Sequence, residues 1–84
     1  MPRYYFDIFD GDHKAHDDIG VECHSVHAAS VQATIALTEL AREILPGDGP
    51  VRHLRIGIRG NEGLLFSLTL DFETQPARQL ARLR

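Results

Sequence analysis

Four of the five histidines and the only cysteine fall close together, as His13, His16, Cys23, His24 and His27, with Asp10, Asp12, Asp17 and Asp18 nearby. Nitrogen and sulfur donors suit zinc, and two His-x-x-His spacings plus a thiol could supply four ligands. A structural zinc site needs both pairs to converge. Here the first pair sits in a polar stretch, the second brackets a helix start, and no Cys-x-x-Cys pair anchors either. The expectation is a polar loop with no metal and no other cofactor. Asp10-Gly11-Asp12 does not follow the acid order or closing glutamate of a calcium loop. For nucleophilic catalysis, Cys23 with His24 or His27 is the only nearby combination, and adjacency in sequence does not place groups in contact. Ser25 is better used as a helix cap. The chain is therefore read as non-enzymatic, and a metal- or thiol-dependent enzyme is the outlying alternative.

A second constellation is basic. His53, Arg55 and Arg59 share one face of a strand, with Arg52 at its entrance, and Tyr4, Tyr5 and Phe6 could add aromatic surface. Arginines beside aromatics on an open sheet face bind single-stranded RNA through phosphate contacts and stacking. Against this, the formal net charge is −3. Asp7, Asp71 and Glu73 are also placed to pair with these arginines across strands. RNA binding is thus the runner-up reading. The glycines at 57, 60 and 63 belong to a hairpin tip with no helix after it, which is not a phosphate cradle.

The elements that must position these residues follow from periodicity. Leu54, Ile56 and Ile58, then Leu64, Phe66, Leu68, Leu70 and Phe72, alternate with polar neighbours on both sides of Gly60-Asn61-Glu62-Gly63. A period of two gives each strand one wet and one dry face, so residues 54–72 read as an amphipathic β-hairpin. Arg3–Phe9 reads as a first strand, with Tyr4, Phe6 and Ile8 on one face and Tyr5, Asp7 and Phe9 on the other. After the turn at Asp10-Gly11-Asp12, residues 13–18 are mostly polar, and Ile19–Cys23 reads as a second strand. Ser25 is placed to cap a helix over residues 26–45, ended by Pro46-Gly47-Asp48-Gly49-Pro50. Its apolar stripe is Val26, Ala29, Ser30, Ala33, Leu37, Leu40, Ala41 and Ile44.

The fold class expected is α+β, in the order β-β-α-β-β: one antiparallel or mixed sheet with one long helix on one face. Residues 1–75 would form a single domain. The basic tail, 76–84, is either a last helical turn or a frayed end. Val31 and Ile35 lie off the helix's buried stripe, one turn apart. They read either as ordinary exposed side chains or as a seam for a second subunit.

With 84 residues, 43% hydrophobic and 25% charged, the composition is that of an ordinary globule. No apolar run approaches the ~18 residues of a membrane span, and the first residues lack the features of a signal peptide. A single cysteine forms no internal disulfide framework, so the cytoplasm is the expected compartment.

Met1-Pro2-Arg3-Tyr4-Tyr5-Phe6-Asp7, the Asp10-Gly11 turn, Asp17-Asp18-Ile19-Gly20-Val21-Glu22, Ala28-Ala29 and the hairpin at Ile56–Gly63 together resemble a family of short uncharacterised bacterial proteins. Members open M-P-R-Y-F/Y-F, continue D-x-x-G-x-E/D before the helix and carry a V-R-D-E-x-G hairpin. Gly60 and Asn61 replace the two acids of that hairpin here. The resemblance covers residues 1–73 and implies a domain of unknown function, with no catalytic residue to carry over. A weaker architectural likeness is to HicB-type antitoxin domains, although the strand order around the helix differs. Taken together, the expectation is a small cytoplasmic binding module, homodimeric, with an unknown protein partner. An RNA- or toxin-binding regulator using the open sheet face is the alternative.

Overall fold

The structure, a computed structural model, describes residues 1–47 and 49–77. The elements run β1 (Arg3–Asp10), β2 (His13–Ala15), β3 (Val21–Glu22), α1 (Val26–Ile44), β4 (Val51–Gly60) and β5 (Gly63–Glu73). All strand pairings are antiparallel, in the order β2-β1-β4-β5, with β3 also pairing β1. This is the expected α+β class with one helix on one sheet face. It carries an extra strand: the polar run after Gly11 folds back as β2, and the strand read at Ile19–Cys23 shortens to Val21–Glu22. The tail read at 76–84 lies, from residue 78 onward, outside the described residues.

Packing follows the alternation. Leu54, Ile56 and Ile58 of β4 are fully buried under the helix. Each contributes about 1.5–3 kcal/mol by leaving water. The helix meets them with Ala29, Ala33, Leu37 and Ala41, all buried. Three alanines in that row bring the helix axis close to the central strand. Tyr4 and Cys23 join this core, and Phe6, Ile8, Phe66, Leu68 and Leu70 pack at its margin. Val26 departs from its expected place in the stripe and is 41% exposed in the first helical turn.

Both helix ends are satisfied locally. Ser25 accepts a hydrogen bond from the Ala28 amide at 3.1 Å, and the Leu45 amide donates to the Ala41 carbonyl at 2.9 Å. Arg52 lies on the helix side of β4, in step with Leu54. It pairs with Asp10 at 2.7 Å and reaches the Ile44 carbonyl at 3.5 Å. A cation at a helix C-terminus is favoured by the partial negative charge there.

One register shift alters the hairpin. Ile58 pairs with Phe66, but Arg59 pairs with Leu64, so Leu65 is an extra residue at a β-bulge. Leu64 therefore leaves the dry row where alternation placed it. It turns to the opposite face, 68% exposed.

Ala29 and Ala33, on the helix face against the sheet, have no exposed surface. Ala33→Leu is expected to cost about 1–3 kcal/mol through overpacking. Urea denaturation measures this, and an unchanged midpoint would mean the helix stands off the sheet.

Candidate functional site

The sheet face away from the helix carries the side chains that could do chemistry. On β1 these are Tyr5, Asp7 and Phe9. On β4 they are His53, Arg55, Gly57 and Arg59, and on β5 Leu64, Ser67, Thr69 and Asp71. Cross-strand pairing sets Tyr5 beside Arg59, Asp7 beside Gly57 and Phe9 beside Arg55.

Asp7 is the one buried charged residue among the described residues, 6% exposed. Its Oδ2 accepts from Arg59 Nε at 2.7 Å, and its Oδ1 accepts from Arg59 Nη2 at 3.2 Å. The same Oδ1 accepts the Asp17 amide at 3.0 Å and lies 3.4 Å from His16 Nδ1. Arg59 Nη2 also donates to the Asp17 carbonyl at 2.8 Å, and its guanidinium lies 4.9 Å from the Tyr5 ring centre. A two-pronged guanidinium–carboxylate pair is a strong, directional contact. It holds the Asp7 carboxyl below its usual range, outweighing the opposing effect of burial, and raises Arg59 above its own ordinary value.

The loop from His16 to Gly20 is held by a second carboxylate. Asp17 Oδ2 accepts the Phe6 amide at 2.9 Å, and Oδ1 accepts the Ile19 and Gly20 amides, each at 3.0 Å. Burial disfavours the charge on Asp17, but the three amide donors from Phe6, Gly20 and Ile19 prevail, so its carboxyl too titrates below the usual value. Gly20 is required at this corner. Its φ is +75°, and a Cβ there would sit 2.9 Å from Arg3 Cγ, the Tyr4 carbonyl oxygen and Tyr5 Cδ2.

Around Arg55 the face is different. Its guanidinium lies 4.4 Å from the centre of the Phe9 ring, whose other neighbour is Lys14 Nζ at 5.5 Å. Among the described residues, Arg55 has no carboxylate partner. Beside it, Gly57, Leu64 and Ser67 line a notch of about 180 Å³, and a broader depression of about 380 Å³ opens between Phe9, His53, Arg55 and Thr69. His53 pairs with Asp71 at 2.7 Å, with both side chains largely exposed.

The histidines and the thiol are not brought together. Cys23 is buried in the core, whereas His13 lies in β2 and His24 and His27 are exposed at the helix start. His16 faces Asp7 and, 3.3 Å away, Asp18. Among the described residues, no three His, Cys, Asp or Glu side chains gather as metal ligands. The basic face read at Arg52, Arg55 and Arg59 is also divided. Arg52 lies on the helix side bound to Asp10, Arg59 is held by Asp7, and Arg55 alone projects from the open face without an acid.

The residues that reasoning from sequence missed are Asp17 and its role on β1. Asp17-Asp18-Ile19-Gly20 carried a local signal, since an aspartate side chain commonly accepts from the backbone two residues on, as Asp17 does from Ile19. Nothing in it pointed to Phe6.

An antiparallel sheet with one helix and a buried carboxylate–guanidinium node on its open face defines an α+β domain of small size. The chain belongs to the family described as Domain of unknown function (DUF6894), whose model matches residues 3–71. Comparison with curated proteins and with solved structures gives no match.

Both carboxylates ionise more readily in the folded chain than their ordinary value of 3.8. The stability they add is complete above that value and drains away as pH falls through their lowered folded values. Denaturation free energy should hold steady from pH 7 to about 5 and drop below about 4. Asp7→Asn should cost about 2–3 kcal/mol at pH 7 and flatten the acid limb. An unchanged acid limb in that variant would remove Asp7 as its source.

Proposed function

We propose that this chain is a small non-enzymatic interaction module of the cytoplasm that works as a homo-oligomer and docks a protein partner. The observation that carries this reading is how the two carboxylates of lowered pKa are used. Shifted carboxylates often mark active sites, yet every close contact of Asp7 and Asp17 goes to the scaffold: Arg59, His16 and backbone amides. All four oxygens of these two carboxylates already accept at least one hydrogen bond from the scaffold, which commits both groups to structure. Apolar surface, by contrast, is left outside. Val31 and Ile35 are 46% and 49% exposed and lie one turn apart, offering a seam for another chain.

The RNA- or toxin-binding alternative rests on Arg55 and Lys14 flanking Phe9, since Arg52 and Arg59 are committed to Asp10 and Asp7. Light scattering coupled to size-exclusion chromatography tests the main reading. A mass at least twice that of the chain is expected, and a monomer at every concentration would contradict it. Retention on immobilised RNA that weakens with salt would favour the alternative.

A further inference from the structure

The two edges of the sheet are treated differently. Along the outer edge of β1, β2 pairs with residues 8–10 and β3 with residues 3–4. Between them, the Phe6 amide is taken by Asp17. The other edge is β5, an 11-residue strand whose far side meets no strand among the described residues.

The backbone of β5 has a definite polarity. Thr74 donates its amide to the Pro50 carbonyl at 2.8 Å, and Val51 is the partner of Glu73. Hydrogen-bonded and non-bonded pairs alternate along an antiparallel ladder. The even-numbered residues from Phe66 to Phe72 therefore turn their amides and carbonyls toward β4. Ser67, Thr69 and Asp71 turn theirs outward. An independent contact agrees: the His53 carbonyl accepts the Gly11 amide at 3.3 Å, so His53 turns its backbone toward β1 and away from its β5 partner Asp71.

Soluble proteins guard such edges with lysine, proline, bulges or covering segments. Residues 66–72 contain no lysine, arginine, proline or glycine, and the bulge lies before them at Leu65. On the helix side, Phe66, Leu68, Leu70 and Phe72 are only half-buried, because the helix is centred over β4.

We infer that β5 is a self-pairing edge, where two copies join antiparallel about a two-fold axis at Thr69 into one continuous sheet. In that register Thr69 faces Thr69 and Ser67 faces Asp71, with about six main-chain hydrogen bonds between the outward-turned groups. Phe66 then lies across from Phe72, and Leu68 across from Leu70, joining two half-covered apolar rows. No like charges stand opposite each other. Strand addition of this kind takes its affinity from the main chain and its register from alternate side chains. The exposed helix pair Val31 and Ile35 is a separate apolar patch and is left for the unlike partner.

This inference rests on the homo-oligomeric reading above, and the variants separate the two. Light scattering is run on the 84-residue wild type, Thr69→Pro, Thr69→Lys and Ile35→Arg, with circular dichroism to confirm folding. The Thr69 amide points away from β4, so proline there spares the internal ladder while removing the central edge donor. Wild type and Ile35→Arg are expected at twice the chain mass, and both Thr69 variants at half of that. A folded Thr69→Lys that stays dimeric overturns the edge and leaves the oligomeric reading standing. A wild type that is monomeric throughout removes both.

Discussion

The fold depends on two aspartates doing work that strands or side chains usually do. Asp7 is buried on the open face of β1, where an unpaired carboxylate would be costly, and Arg59 from the adjacent strand neutralises it through two hydrogen bonds. The same pair then holds the Asp17 backbone at both its amide and its carbonyl. Asp17, so placed, turns its own carboxylate back to the Phe6 amide. Charge burial, loop placement and edge closure are therefore one linked arrangement. Its energy comes from geometry, since ion pairs on exposed surface contribute little. His53 with Asp71 is a pair of that weaker kind.

This arrangement also divides the sheet into regions with different roles. The helix side is a dry layer in which alanines allow close approach to Leu54, Ile56 and Ile58. At the β1 end the open side is committed to holding the loop 16–20. Toward β5 it loses that internal commitment: Arg55 rests on Phe9, the notch beside Gly57 is small, and Ser67 and Thr69 face outward. Among the described residues, the tightest ion pair is committed to holding the loop, and the outward backbone groups of β5 meet no strand.

Much of this was legible in the sequence. The period-two runs in β1, β4 and β5 and the cap at Ser25 locate every long element, because burial of one face dictates each pattern. The alternation also put Asp7 among the acids placed to pair with the arginines across strands, without singling out Arg59 as its partner. Three features were not legible. The bulge at Leu65 moves Leu64 to the other face, and a one-residue insertion leaves no mark in a run of apolar residues. The strand at His13–Ala15 is wholly exposed, so no apolar alternation announces it. Arg52 was read as the entrance of the basic face, yet a strand's sides are set by parity, and 52 shares its parity with the buried 54, 56 and 58. The clustered histidines illustrate the same limit from the other side: closeness in sequence became separation in space once β2, the loop and the helix start took their own directions.

The substitution of a side-chain carboxylate for a strand is the claim on which closure of the β1 edge stands. Amide hydrogen exchange at Phe6, followed by NMR at neutral pH, reads that contact in isolation. Slow exchange in the wild type and fast exchange in Asp17→Ala, with the Leu68 and Leu70 amides of β5 unchanged, is the expected result. Fast exchange of Phe6 in both proteins would show that this edge is not closed by Asp17.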